Sequence, residues 1–307
     1  MKAVAPLRGT QSLVGQLGWV FARPSLTLLE VAWRWAFAVP FLAVASARVR
    51  AIFEVVPPDS AGIANINFQN PWLAAVRLAD AWAQYRPHIA ALIPIFVPAS
   101  ALAWVVVSAI GRSLVLKRMD RSIAFRPIAM MLLQAAWLVV FLAAWWGWHL
   151  SIGWVAATHL APNAEPDLAG YAVWAIFLSL GFFTLWAFVS WMVSIAPMLM
   201  LLERRSPISA LGQSLRLGGT FTGKLVEVNL VMGIVKLALI VVAMVFSSVL
   251  LPFIDEVGAS TLHLEWIVVG VFYFVANDYF QVVRLKAFLE FWRTYRGPAK
   301  AKTAEQS

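Results

Sequence analysis

Long stretches of apolar residues recur along this chain, and polar residues are concentrated between them. Six such stretches cover residues 26–47, 88–110, 128–150, 171–202, 225–251 and 264–283. A helix of about 20 apolar residues, rising 1.5 Å per residue, is long enough to cross the hydrocarbon core of a membrane. The pattern therefore predicts an all-α polytopic membrane protein, built as a bundle of six transmembrane helices.

The rest of the chain divides around this bundle. The six spans and their loops occupy residues 26–288, and residues 1–25 before them are predicted to lie in the cytoplasm or at the membrane surface. Residues 289–307 form a basic cytoplasmic tail. Its last part, 297–307, has no apolar periodicity, and we expect it to be disordered.

Two further helices are predicted at the membrane surface rather than across it. An outer interfacial helix at about 71–86 begins with Pro71, which suits a first turn, and its apolar residues follow at helical spacing. An inner interfacial helix at about 207–217 has Ser206 as an N-cap and Pro207 in its first turn. We interpret both as connectors, and the outer helix has the alternative role of a lid over a central cavity.

Basic residues sort onto one side of the six-span topology. With the N-terminus inside, eighteen of the 24 Lys and Arg residues are cytoplasmic. They are Lys2, Arg8, Arg23, Arg112, Lys117, Arg118, Arg121, Arg126, Arg204, Arg205, Arg216, Lys224, Arg284, Lys286, Arg293, Arg296, Lys300 and Lys302. The positive-inside bias then predicts a multi-pass protein of a bacterial inner membrane with both termini in the cytoplasm.

Composition and charge agree with a membrane protein and argue against nucleic-acid binding. Apolar residues make up 62% of the chain and charged residues 13%, and the 16 tryptophans suit membrane interfaces. The formal net charge of +9 is explained by the basic cytoplasmic loops. Those loops should attract anionic lipid headgroups, each Lys or Arg near the surface adding about 1 kcal/mol.

Motifs that carry catalytic chemistry do not occur in this sequence. There is no cysteine, no H-E-x-x-H, no G-x-S-x-G and no glycine-rich phosphate loop. His88, His149, His159 and His263 all fall near the outer ends of spans, where a pair on neighbouring helices would suit haem or a divalent metal. Interfacial hydration is the commoner role of such histidines, so we predict no catalytic residue, no metal site and no cofactor.

Polar residues inside the spans are the candidate functional positions. A charge near the bilayer centre costs about 2.5–3.5 kcal/mol and therefore seeks a partner. The predicted intramembrane polar cluster consists of Glu30, Arg34, Asn229, Lys236, Asn277, Asp278 and Gln281. Glu30 and Arg34 are spaced for an ion pair along one helix, and we predict a salt bridge between Lys236 and Asp278.

This cluster has two interpretations, which the sequence leaves open. It is either a structural network that fixes the register of the helices, or a site for a solute, a proton or a lipid headgroup. Pro94 and Pro98 in the second span should kink or interrupt that helix, and Pro40 and Pro197 are expected to bend two others. Broken helices are typical of transporters, so transport stays an alternative.

A short element in the second cytoplasmic loop resembles a known group of membrane proteins. Ala210-Leu211-Gly212-Gln213-Ser214-Leu215 and the residues through Phe221 follow the pattern A-L-x-x-S-x-x-L-x-x-G-x-F, with Phe221 one position early. This pattern is similar to that of the bacterial membrane domain attached to some glycerophosphodiester phosphodiesterases, which also has stand-alone relatives. The resemblance implies a six-helix membrane domain and no chemistry.

Three classes of function remain. The first is a non-enzymatic membrane protein that acts as a scaffold, an assembly partner or a lipid-contacting accessory, with a membrane protein or a second copy of the chain as a further partner. The second is a transporter or permease subunit with a polar site in the inner half of the bundle. The third, an intramembrane enzyme, would require a carboxylate paired with His or Ser in one cleft.

Overall fold

The computed structural model describes residues 9–63, 66, 71–160, 165, 167–193, 195–216, 219–249 and 258–304. All regular secondary structure within these ranges is α-helical. The helices are α1 (Gly9–Phe21), α2 (Pro24–Val55), α3 (Pro71–Met119), α4 (Pro127–His159), α5 (Leu168–Val193), α6 (Ala196–Leu202), α7 (Pro207–Leu215), α8 (Gly219–Ser248) and α9 (Ala259–Ala304).

Six of these helices are long and apolar enough to cross a membrane, and each overlaps one of the predicted spans. They are α2, α3, α4, α5, α8 and α9. An exposed helical surface that is apolar over this length is stable only in lipid, because water would surround dozens of large hydrophobic side chains. The chain is therefore an integral membrane protein, as the apolar pattern predicts.

The second span is longer and more regular than expected. Residues 71–86 are helical, but they form the first part of α3 rather than a separate surface helix. Pro87, Pro94 and Pro98 all lie inside this helix and do not interrupt it. A proline removes one backbone donor, yet a membrane-spanning helix tolerates this loss where neighbouring groups satisfy the freed carbonyl.

The fourth span, in contrast, is broken. The predicted segment 171–202 is divided into α5 and the short helix α6, with Ile195 between them. Pro197 stands in the first turn of α6, a position where its missing N–H is of no consequence. Met198, Leu199 and Met200 are almost completely buried, so α6 is enclosed by protein.

The helices belong to two compact units. Unit 1 comprises Met1–Val31 and Ala109–Ser307, and unit 2 comprises Ala32–Ser108. In unit 2 the remainder of α2 runs beside most of α3, and aromatic pairs join them: Trp33 with Trp104, Phe41 with Phe96, and Phe53 with Tyr85. The Tyr85 hydroxyl donates a hydrogen bond of 3.1 Å to the backbone carbonyl of Val56.

One end of unit 1, which we call the basic end, is held by contacts between loops and helices. Arg293 of α9 forms an ion pair with Asp120, which follows α3. Burial opposes ionisation of Asp120, but hydrogen bonds from Ser122 and the charge of Arg293 together hold its pKa below its ordinary value. Arg126 donates to the backbone carbonyl of Arg205, which connects the α3–α4 turn with the α6–α7 turn.

The N-terminal helix packs against the bundle at this end. Leu13 and Val20 of α1 are buried, and α1 contacts α8 and α9. The Tyr279 hydroxyl donates a hydrogen bond of 2.9 Å to the carbonyl of Leu17. Lys286 lies 4.5 Å above the Trp19 ring. The predicted surface segment 1–25 thus includes a helix that is anchored to protein.

Two other expectations concern segments at the basic end. Helix α7 is present as predicted: the Ser206 side chain accepts a hydrogen bond from the backbone N–H of Ser209, and Pro207 occupies the first turn. Its Ile208 is exposed whereas Ala210 is buried, as expected of a helix between protein and lipid. The expected disorder of 297–307 is wrong for residues 297–304, because α9 continues to Ala304.

Candidate functional site

A cavity of about 230 Å³ lies near the basic end of unit 1. Helices α3, α4, α5, α6, α8 and α9 all contribute to its walls. Its polar lining consists of Arg112, Gln134, Ser190, Asn229, Gln281 and Arg284. Its apolar lining consists of Leu116, Leu133, Trp137, Pro197, Met198, Leu285 and Phe288. We call this space the arginine cavity.

Arg112 is held at the cavity by a buried acid. It lies on α3 about two turns before the helix ends at Met119. The nearer nitrogen of its guanidinium is 4.0 Å from a carboxylate oxygen of Glu30 on α2. The Glu30 side chain is fully buried and that of Arg112, which lines the cavity, is 17% exposed.

Arg284 and Asn229 form the second polar contact at the cavity wall. The Asn229 amide nitrogen donates to the backbone carbonyl of Leu225 at 2.9 Å, one turn earlier on α8. This bond turns the amide oxygen away from its own helix. Arg284 of α9 donates to that oxygen at 3.4 Å, so the pair connects α8 with α9. Each side chain is thereby positioned by a neighbouring group.

A second cavity, of about 420 Å³, lies on the other side of this pair. Asn229 and Arg284 line both cavities and form their common wall. Lys236 contributes the cation of the second cavity, two turns further along α8. The other lining residues are Phe183, Thr184, Ala187, Phe188, Met232 and Gly233. We call this space the lysine cavity.

The charged side chains that line the two cavities are all basic. Arg112, Arg284 and Lys236 line them, and the described lining residues include no Asp, Glu or His. Amide and hydroxyl groups of Gln134, Gln281 and Ser190 add hydrogen-bonding capacity. Away from water a hydrogen bond between a guanidinium and an anion is stronger than a neutral one. This lining suits an anionic group such as a phosphate or a carboxylate.

The structure brings together part of the polar cluster predicted from the sequence. Asn229 and Gln281 line the arginine cavity, and Lys236 lines the lysine cavity. Glu30 does not line either cavity but lies 4.0 Å from Arg112, which does. Asp278 is buried on α9, one turn before Gln281. The salt bridge between Lys236 and Asp278 and the ion pair between Glu30 and Arg34 stay predictions.

The remaining two predicted residues lie elsewhere. Asn277 is half-buried on α9 and lines neither cavity. Arg34 belongs to unit 2, where its guanidinium lies 5.3 Å from the centre of the Trp33 ring. Asn277 is four residues before Gln281 on the same helix face, so it lies one turn further from the cavity residues Arg284 and Phe288.

Four polar residues of the arginine cavity were missing from the predicted cluster. Arg112 and Arg284 are at the ends of the predicted spans, where the positive-inside bias accounts for a basic residue without further function. Gln134 and Ser190 each follow at least a full helical turn of apolar residues and lie inside predicted apolar spans. The signal that would have found them is a shared depth in the membrane: Arg112 and Ser190 lie within two turns of the C-terminal ends of α3 and α5, and Gln134 lies two turns after the start of α4.

The histidines form no common site in the described part of the chain. His159 at the end of α4 contacts the Asp167 carboxylate at 2.9 Å. His149 lies beside Trp146, and His263 lies beside Trp266. No group of three or more His, Cys, Asp or Glu suited to a metal ion occurs among the described residues.

Comparisons with known proteins add no family to this description. No family model, no curated protein and no solved structure matches the chain. The features that bear on function are the membrane-spanning fold and the two cavities lined by basic side chains.

Proposed function

We propose that this chain is a non-enzymatic, lipid-contacting accessory protein of a bacterial inner membrane, whose cavities at the basic end bind the anionic headgroup of a membrane lipid. The observation that carries this proposal is the pair of adjoining cavities lined by Arg112, Arg284 and Lys236 without a carboxylate among their described lining residues. A guanidinium can bind two phosphate oxygens at once, which favours headgroup phosphates.

A lipid phosphate and a free inorganic phosphate share the chemistry that these cavities recognise. The apolar part of the lining favours the lipid, because Trp137, Leu133 and Phe288 offer no hydrogen bond to a hydrated ion. A lipid brings glycerol and acyl carbons, which gain free energy from contact with such side chains. A bound phospholipid would therefore contact both the basic and the apolar residues of the lining.

Titration calorimetry of the purified full-length protein tests the proposal. The ligands are dihexanoyl phosphatidylglycerol, dihexanoyl phosphatidylcholine and inorganic phosphate. Phosphatidylglycerol should bind more tightly than the other two, and Arg284→Gln should weaken it about tenfold, as expected for one hydrogen bond to a charged group. Arg121→Gln, an exposed arginine outside the cavities, is the matched control and should leave binding unchanged.

The contribution of Arg112 needs a variant that keeps the local charge balance. Arg112→Gln alone removes a cation that lies 4.0 Å from the buried Glu30 carboxylate, and breaking a buried ion pair typically costs about 3–5 kcal/mol of stability. Replacing both residues with Gln removes the cation and the acid together, so it should fold and still lose affinity. Equal affinity for all three ligands in the wild type would refute the proposal, as would undiminished binding by Arg284→Gln and the double variant.

Transport is the second candidate, and the broken fourth span favours it. Pro197 and Met198 at the start of α6 line the arginine cavity, so an interrupted helix stands at the site, as in many transporters. Reconstituted liposomes separate the two functions. Flux of phosphate or protons that Arg284→Gln abolishes in a folded variant would support transport over the accessory role.

Orientation and partners belong to the same proposal. The positive-inside bias supports both termini in the cytoplasm, which places the basic end beside the inner leaflet and its anionic lipids. The resemblance of the element from Ala210 to Phe221 to the membrane domain of some glycerophosphodiester phosphodiesterases supports a membrane module. Its further partners would be another membrane protein or a second copy of this chain.

A further inference from the structure

A third cavity continues the row of spaces along α5. It has a volume of about 420 Å³ and lies between α4 and α5. Aromatic rings dominate its lining, which consists of Phe141, Ala144, Trp145, Trp148, Ser179, Leu180, Phe182, Phe183 and Trp186. We call it the aromatic cavity. Its two most polar groups bind each other, since the Trp148 indole donates to the Ser179 hydroxyl at 3.0 Å.

The aromatic cavity adjoins the lysine cavity, which in turn adjoins the arginine cavity. Phe183 lines both the aromatic and the lysine cavities. Asn229 and Arg284 line both the lysine and the arginine cavities. Stacked indole rings 4.4 Å apart join Trp186 of the aromatic cavity to Trp137 of the arginine cavity. The three spaces thus form one row with a cationic end and an apolar end.

The length of this row matches one leaflet of a bilayer. Along α5 it extends from Ser179 in the aromatic cavity to Ser190 in the arginine cavity. Eleven residues of α-helix rise about 16 Å. The hydrocarbon core of a bilayer is about 30 Å thick, so one leaflet is about 15 Å. A lipid whose headgroup occupies the cationic end would therefore have its acyl chain beside the aromatic rings.

We propose that the row of three cavities is one binding site for a single anionic phospholipid, with its headgroup at Arg112, Arg284 and Lys236 and one acyl chain in the aromatic cavity. This inference rests on the proposed function and extends it from a headgroup to a whole lipid. The lining changes from basic to aromatic along the row, which argues for one amphiphilic ligand rather than two separate ligands. Arg112, Arg284 and Lys236 line the arginine and lysine cavities, whereas the described lining of the aromatic cavity contains no charged residue. The aromatic cavity offers an acyl chain contact with rigid side chains that lose little entropy.

Photo-crosslinking of the full-length protein in nanodiscs tests this inference. The probe is phosphatidylglycerol with a diazirine near the end of one acyl chain, and the comparison probe is phosphatidylcholine with the same chain. Mass spectrometry should locate the phosphatidylglycerol label on α4 and α5 residues of the aromatic cavity, about tenfold above the phosphatidylcholine label. Arg284→Gln should reduce the ratio of the two labels towards one.

A cavity-filling variant provides the matched control. Ala144 lines the aromatic cavity, whereas its neighbour Ala143 is exposed and does not. Ala144→Phe should remove the label from the cavity, and Ala143→Phe should leave it in place. Equal labelling by both probes, or labelling that survives Ala144→Phe, would overturn the inference.

The same measurements distinguish this inference from the proposed function. If dihexanoyl phosphatidylglycerol binds in an Arg284-dependent manner while the chain label falls outside the aromatic cavity, the headgroup site stands and the whole-lipid site is wrong. If the short-chain lipid shows no preference over phosphatidylcholine, the proposed function itself fails.

Discussion

Asp167 joins the adjacent ends of two membrane-spanning helices, far from the cationic cavities. One of its carboxylate oxygens accepts a hydrogen bond of 2.8 Å from the backbone N–H of Gly170 in the first turn of α5. The other contacts His159 at the end of α4 at 2.9 Å. The bonds from Gly170 and His159 lower the pKa of Asp167 below its ordinary value, so the carboxylate stays ionised and caps α5 at neutral pH.

Gly170→Ala should disrupt this cap. An added Cβ would be 2.6 Å from His159 Nδ1 and would overlap the Asp167 carboxylate, so both groups have to move. We expect the thermal unfolding midpoint to fall by about 2–4 °C. Gly181→Ala on the same helix has open space around its Cβ and is the control, because it should not lower the midpoint. Equal midpoints for the two variants would contradict the described cap.

Individual site residues could be predicted only where their sequence context is unusual. Asn229 and Lys236 are conspicuous because a polar side chain in the middle of an apolar stretch has to be satisfied by protein. Arg112 and Arg284 are not, since basic residues at the inner ends of spans are expected in any membrane protein. Their role follows from the proximity of α3, α8 and α9, which the apolar pattern does not encode.

At the scale of elements, α1 shows how a short helix is attached to the bundle. Its Trp19 ring lies between the cations of Arg23, at 4.1 Å, and Lys286, at 4.5 Å. Lys286 is itself buried and paired with Glu290 at 2.7 Å. Cation–π contacts of this kind contribute about 0.5–2 kcal/mol. Helix α1 is therefore fixed by specific polar contacts as well as by its buried apolar residues.

The hydrogen bond from Tyr279 to α1 provides a direct measure of this attachment. Tyr279→Phe removes the donor to the Leu17 carbonyl and should lower the free energy of unfolding by about 0.5–1.5 kcal/mol. Limited proteolysis should then cut near α1 more rapidly. Tyr273→Phe is the control, because Tyr273 lies on the same helix and its hydroxyl donates no hydrogen bond to the residues that the structure describes. The attachment would be refuted if both variants behaved like the wild type.

The helices themselves follow closely from the apolar pattern, and their interruptions do not. All six spans are present, since length and hydropathy suffice to predict them. The effect of proline on a helix differs between two places in this chain. Pro94 and Pro98 lie inside the unbroken α3, whereas Pro197 follows the break after α5. Both outcomes satisfy the stereochemistry of proline, and packing around each helix selects between them.

For the whole molecule, the orientation in the membrane is open to a direct test. The chain contains no cysteine, so a single introduced thiol reports on one side only. Glu165→Cys should react with an impermeant thiol reagent from outside, and Arg121→Cys only after the inner face is made accessible. Both positions are exposed in the structure. Reaction of both thiols from the same side would contradict the six-span topology.

Native mass spectrometry of the protein extracted from mixed liposomes addresses the central claim, that the cationic cavities bind an anionic lipid. The liposomes contain equal amounts of phosphatidylglycerol and phosphatidylcholine. The wild type should retain phosphatidylglycerol in clear preference to phosphatidylcholine. A variant combining Arg284→Gln with Glu30→Gln and Arg112→Gln should lose that preference and still be folded. Retention of both lipids in equal amounts by the wild type, or an unchanged preference in the folded variant, would contradict the account.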